Sequence, residues 1–209
     1  DKTEKEAVAG TEAKLKEGEA ALATKSFLPA IAAFQEADFL AAKTHAVALK
    51  QKAKESLAGA QRASEAALRR LKLEAEKATA AKNFAGAVEA YQQAVALDAE
   101  NKELQVALKQ AEGDAAFDKG EVQEALQAYT AGLALEPANQ RLMKSKEEVE
   151  KLVGAGAKQK EGDAAMKAKD YDAAVQAYKE ALQSDNSNEE LAKRLRGAEV
   201  QQARKEATA

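Results

Sequence analysis

The sequence predicts an all-α fold, an array of α-α hairpins. Three observations carry that prediction: the composition, a recurring set of small and aromatic positions at helical spacing, and polar capping residues between them. The 209 residues are rich in Ala, Glu, Lys, Gln and Leu, with two prolines (Pro29 and Pro137), no Trp and few β-branched residues. Residues of this kind lose little conformational freedom in a helix, so long helices and almost no sheet are expected.

Four segments align without gaps. They open on Glu17-Gly18-Glu19, Glu74-Ala75-Glu76, Glu112-Gly113-Asp114 and Glu161-Gly162-Asp163, and each small residue precedes a second anchor, Ala30, Ala87, Ala125 or Ala174, by twelve residues. An aromatic follows four residues later at Phe34, Tyr91, Tyr129 and Tyr178, and a small residue three after that at Ala37, Ala94, Gly132 and Ala181. Spacing of i, i+4, i+7 places these on one helical face, where small residues let two helices approach and the ring fills the gap. Phe27, Phe84, Val122 and Tyr171 recur between the two helices as further core positions. Ser26, Asn83 and Asp170 stand just before them as N-caps, with Gly120-Glu121 in their place in the third segment.

These residues resemble the tetratricopeptide repeat, which has a small residue in helix A, an Ala-aromatic-small series in helix B, and a proline closing the unit, here Pro137. The resemblance implies one array over 1–209, with units near 14–42, 68–99, 106–137 and 155–186 and a capping helix over 188–206. In that cap Leu191, Leu195 and Ala198 face inward, and Ser187 or Asn188 starts the helix.

The chain departs from the family pattern in two ways. Its second anchors fall 57, 38 and 49 residues apart, against about 34 in the family, which calls for inserted helix and a more open, irregular array. One helix of roughly 30 residues is expected between Asn139 and Lys169, with Gly154 and Gly156 as its weak point; two long helices broken at Gly59 are expected between Asp38 and Lys82. Helix A also carries Lys14 with Glu17, Lys109 with Glu112, and Lys158 with Glu161 where the family has large apolar residues; only Leu71 keeps that type. Such pairs are read as solvated.

The remaining features exclude several functions. A net charge of −3 spread over interleaved acids and bases offers no basic track for nucleic acid. No apolar run approaches the roughly 18 to 20 residues of a membrane span. Absence of Cys removes disulfides and thiolate chemistry and fits a cytoplasmic or a periplasmic setting. A chain opening at Asp1 without Met reads as a fragment or a processed product. His45, the single histidine, reads as a helix-surface residue, and Asp185-Asn186-Ser187-Asn188 as a turn and N-cap, lacking the glycine of a calcium loop.

The expected function is therefore non-catalytic, with no cofactor or metal: a scaffold presenting a repeat surface to a protein or peptide. The alternative is a spacer or self-assembling, homo-oligomeric element built from the long helices. Candidate contact residues on the helix A faces are Glu19, Glu76, Asp114, Phe117, Asp163, Met166 and Lys167. Some family members clamp a partner's C-terminal carboxylate with an Asn right after the small residue. Here that position holds Glu19, Glu76, Asp114 and Asp163, so the resemblance implies a basic or neutral partner rather than an acidic tail.

Overall fold

A computed structural model describes residues 2–207. Among them are nine α-helices and no strands: α1 (Lys2–Ala23), α2 (Phe27–Ala42), α3 (Val47–Ala80), α4 (Phe84–Leu97), α5 (Lys102–Asp118), α6 (Val122–Leu135), α7 (Gln140–Lys167), α8 (Tyr171–Ser184) and α9 (Glu189–Glu206). The fold is all-α, built from hairpins of successive helices. Two compact units are present, the first ending at Leu104 and the second starting at Gln105.

In the first unit α1 packs on α2, α2 on α3 and α3 on α4. One core gathers Leu15, Ala30, Phe34, Ala37 and Ala41 with Ala53 and Ala60, and another gathers Leu71, Ala94 and Leu104. In the second unit Val106, Ala125, Tyr129, Leu142 and Val149 form one core, and Ala174, Tyr178, Ala181, Leu191 and Ala198 another. In three of the four hairpins ring-to-glycine contact sets the distance between the helices. A Cβ placed on Gly18, Gly113 or Gly162 would fall well inside van der Waals contact with the ring of Phe34, Tyr129 or Tyr178.

Each hairpin turns through the same three residues, 24–26, 81–83, 119–121 and 168–170, in the same way. The amides of Ser26, Asn83, Glu121 and Asp170 donate to the carbonyls of Ala21, Ala78, Ala116 and Ala165, while those of Lys25, Lys82, Gly120 and Lys169 donate to Leu22, Thr79, Phe117 and Met166. This is the Schellman termination, which requires a left-handed residue. Lys25, Lys82 and Lys169 take φ near +60° and Gly120 takes +77°. The next residue starts helix B: Asn83 accepts from Gly86 and Asp170 from Ala173. Ser26 does not cap as expected, because its hydroxyl lies 3.1 Å from that of Thr24 instead.

A second turn recurs three times, twice joining one hairpin to the next and once joining the last hairpin to α9. Asp98, Glu136 and Asp185 end helix B, and three residues on Asn101, Asn139 and Asn188 donate to their carboxylates at 2.8–2.9 Å. The same Asn side chains accept from the amides of Leu104, Leu142 and Leu191 at 3.0–3.2 Å. Those three leucines are buried, at most 1% exposed. Each Asn thus closes the turn, caps a helix and positions a core residue.

Two expectations need correction. No break occurs at Gly59, for α3 runs unbroken from Val47 to Ala80 and the chain turns at residues 43–46 instead. Ala53 and Ala60, seven residues apart and fully buried, hold that face of α3 on the α2 core together with Leu49 and Leu57. Covered on one face, the helix tolerates a glycine whose intrinsic cost is only about 1 kcal/mol. His45 lies in that turn and not on a helix; its amide and Nδ1 meet Glu4 of α1 at 2.7 and 2.9 Å. By contrast, α7 is the single long helix expected, running through Gly154 and Gly156. The Lys–Glu pairs of helix A are not merely solvated: Lys14 and Lys158 also cross to Glu36 and Glu180 of helix B, at 2.9 and 3.1 Å.

Glycine substitutions should separate these roles. Gly113→Ala should cost about 1 to 3 kcal/mol by overpacking against Tyr129, whereas Gly59→Ala, with nothing near its Cβ position, should stabilise by about 0.5 to 1 kcal/mol. Urea unfolding measures both, and equal effects would refute the close-approach account. In the same assay Asn139→Ala should cost about 1 kcal/mol as a lost cap.

Candidate functional site

The residue after each small anchor sits where helix A meets the ring of helix B. Asp114 accepts from the Tyr129 hydroxyl at 2.8 Å and lies 3.4 Å from Arg141 Nη2. Asp163 accepts from the Tyr178 hydroxyl at 2.6 Å and from Arg194 Nη1 at 2.6 Å. The two sites are equivalent: an acid on helix A, a tyrosine fifteen residues on in helix B, and an arginine from the following helix. The Asp114 side chain is only 13% exposed.

In the first hairpin the ring belongs to Phe34 and has no hydroxyl to offer. Glu19 accordingly turns to Lys52 Nζ, 3.1 Å away on α3, and both groups stay more than half exposed. Glu76 is exposed on α3.

Electrostatics at Asp163 follow from this packing. The Tyr178 hydroxyl, opposed by burial and helped by the Arg194 guanidinium, holds the carboxyl below its usual range. Burial first, then the bond to Asp163, pushes the Tyr178 hydroxyl up to about 12. Tyr129 is driven upward by burial and then by Asp114. Arg194 Nε lies 3.3 Å from Glu190 but outside hydrogen-bond geometry.

The other candidates divide. Phe117, one turn after Asp114 on α5, is 41% exposed. Met166, three residues after Asp163, is half-buried against the Tyr178 core. Lys167 is exposed in the last turn of α7, where its charge complements the helix dipole. Asp114 and Phe117 therefore share a face of α5, as Asp163, Met166 and Lys167 do of α7, while Glu19 and Glu76 stand on separate helices.

No known family model and no curated protein matches the chain.

Sequence reasoning overlooked a groove between α6 and α7, about 620 Å³ in volume, lined by Leu133, Pro137, Met143 and Lys144. Among the described residues no cluster of His, Cys, Asp or Glu suited to a metal occurs, and no helix is long and apolar enough to cross a membrane.

The Tyr178–Asp163 bond sets a pH dependence. Tyr178 ionises at about 12 folded and near 10 unfolded, so its contribution is complete below pH ~10 and fades as the pH rises through the folded value. Asp163, lowered from 3.8, contributes above that pH and loses its share as the pH falls through its folded value. Tyr178→Phe should cost about 1 kcal/mol at pH 8, and the gap from the parent protein should narrow between pH ~10 and ~12. Thermal unfolding across pH reads this; a constant gap would mean that the hydroxyl ionises at the same pH folded and unfolded.

Proposed function

We propose that the chain is a non-catalytic scaffold of the tetratricopeptide-repeat type, holding a polypeptide along its helix A faces. Exposed Phe117 carries this reading. It is an aromatic ring left in solvent on a helix whose neighbouring acid, Asp114, is held by Tyr129 and Arg141. A ring at a fixed position on a rigid helix binds with little entropic loss, which suits a contact anchor. What further supports it is that identical turns repeat while the surface residues vary, as expected where packing is fixed and recognition is not.

The preference for a basic or neutral segment rests on Glu76, since Glu19 is paired with Lys52. Asp114 and Asp163 have arginine partners in the same unit, so their charge toward an incoming peptide is largely offset. Charge reversal at Asp114 or Asp163 would break a buried hydroxyl's only carboxylate acceptor in its hairpin and confuse binding with folding. Glu76 is the cleaner probe.

Binding of basic and acidic peptide pools to the parent protein, Phe117→Ala and Glu76→Lys tests the proposal. Phe117→Ala should weaken capture at least about tenfold while shifting stability by less than about 1 kcal/mol. Glu76→Lys should shift the preference away from basic peptides. Undiminished capture by Phe117→Ala would rule out this face.

A further inference from the structure

The outward face of helix B differs sharply between hairpins. In α8 it reads Asp172, Gln176, Lys179 and Gln183, and in α6 Gln123, Gln127, Thr130 and Ala134; in α2 the same positions hold Leu28, Ala32, Gln35 and Phe39. Leu28 is 48% exposed and Phe39 62%, and Val47, just beyond the C-terminal end of α2, is 78% exposed. The later hairpins form the same packing with polar residues there, so the fold does not require this apolar stripe. Large exposed apolar side chains aligned on one helix mark an interaction surface.

We infer that α2 pairs antiparallel with α2 of a second copy of this chain about a two-fold axis passing beside Phe39. Charge selects the partner and the register. Lys43 stacks over the Phe39 ring at 4.1 Å from its centroid and has no carboxylate partner among the described residues. With the two Phe39 rings together on the axis, a residue four positions after Phe39 lies opposite one four positions before it. Lys43 then stands against Gln35 and Glu36 of the second copy, twice by symmetry. Glu36 is available for this: its side chain remains 53% exposed while paired with Lys14. Sliding the helices to put Phe39 over Ala32 would instead bring the two Glu36 carboxylates together and leave Lys43 opposite Leu28. An isologous contact of this kind closes at two copies and does not propagate.

About an axis at Phe39 the facing segments run from Gln35 to Lys43, about 12 Å at the helical rise, with Leu28 beyond the overlap. That is a small interface, below the about 1,200 Å² of stable complexes, so the dimer is weak and concentration-dependent.

Sedimentation equilibrium of the 209-residue chain from about 1 to 500 µM, a range set by micromolar association, tests this. Monomer–dimer exchange is expected. Phe39→Glu should weaken it at least about tenfold, as should Lys43→Glu, which opposes two carboxylates. Leu73→Glu, on α3 and 50% exposed in the parent, should leave dimerisation unchanged. Because Phe39 and Lys43 are exposed, unaltered circular dichroism is expected for both variants; Lys43→Glu decides the matter should Phe39→Glu misfold. A parent protein monomeric throughout, or equal weakening by Leu73→Glu, overturns the proposal.

Discussion

Close approach of an aromatic ring to a residue without a side chain is the constraint on which three of the four hairpins depend. Gly18 faces Phe34, Gly113 faces Tyr129 and Gly162 faces Tyr178, each without room for a Cβ. Helices so near cannot be joined by a loose loop. The three-residue Schellman turn delivers that spacing, at the expense of a left-handed residue at Lys25, Lys82, Gly120 and Lys169. Three of the four are lysines, which adopt that conformation less readily than glycine. Ring contact and identical turn length override the local preference.

From the same contact follows the fate of the acids. Once the ring lies across helix A, its para position reaches the residue after the small anchor, and a tyrosine there needs an acceptor. Asp114 and Asp163 supply it. Phe34 asks for none, and Glu19 is free to reach Lys52. What looks like a row of groove acids in the sequence is two internal acceptors and two surface charges. The second arm of each internal acceptor is an arginine from the next helix, so the bond that satisfies one hairpin also ties it to its successor within the unit.

Much of this was legible in the residues. Periodic small and aromatic positions located every helix B, and the cap residues located Asn83 and Asp170. The acid–tyrosine bond was not read, although its fifteen-residue offset recurs, because pairing between helices depends on the depth at which the ring sits. Nor was the recurring Asp/Glu-x-x-Asn-x-x-Leu of 98–104, 136–142 and 185–191, which is visible only when the three stretches are compared with one another. Gly59 misled because glycine reads as a break when the helix is considered alone; burial of Ala53 and Ala60 on α2 decides otherwise. The α6–α7 groove and the exposed face of α2 carry no local signal, since exposure is a property of what does not pack.

Insertions in this chain obey the same logic. With all four hairpin turns alike and the Asn turns alike, any change in repeat spacing must be taken up inside a helix. Leu104 and Gly113 are nine residues apart in α5, while Leu142 and Gly162 are twenty apart in α7. The eleven extra residues match three turns at 3.6 each, so the face of α7 that meets α6 at Leu142 and the face that meets α8 at Gly162 keep the angular offset that Leu104 and Gly113 have on α5. No change of register is needed, and the Asn turn is kept. Between the first two hairpins the anchors are nineteen residues further apart than between the second and third, which is not a whole number of turns. There the Asn turn is gone. Thr44 bonds the Ala41 carbonyl and accepts from the Ala46 amide, and Glu4 reaches from α1 to hold the His45 amide. Where helical periodicity absorbs the added length the repeat chemistry survives; where it cannot, the connection is rebuilt from side chains at hand, and the chain turns beside the one helix B whose outer face is apolar.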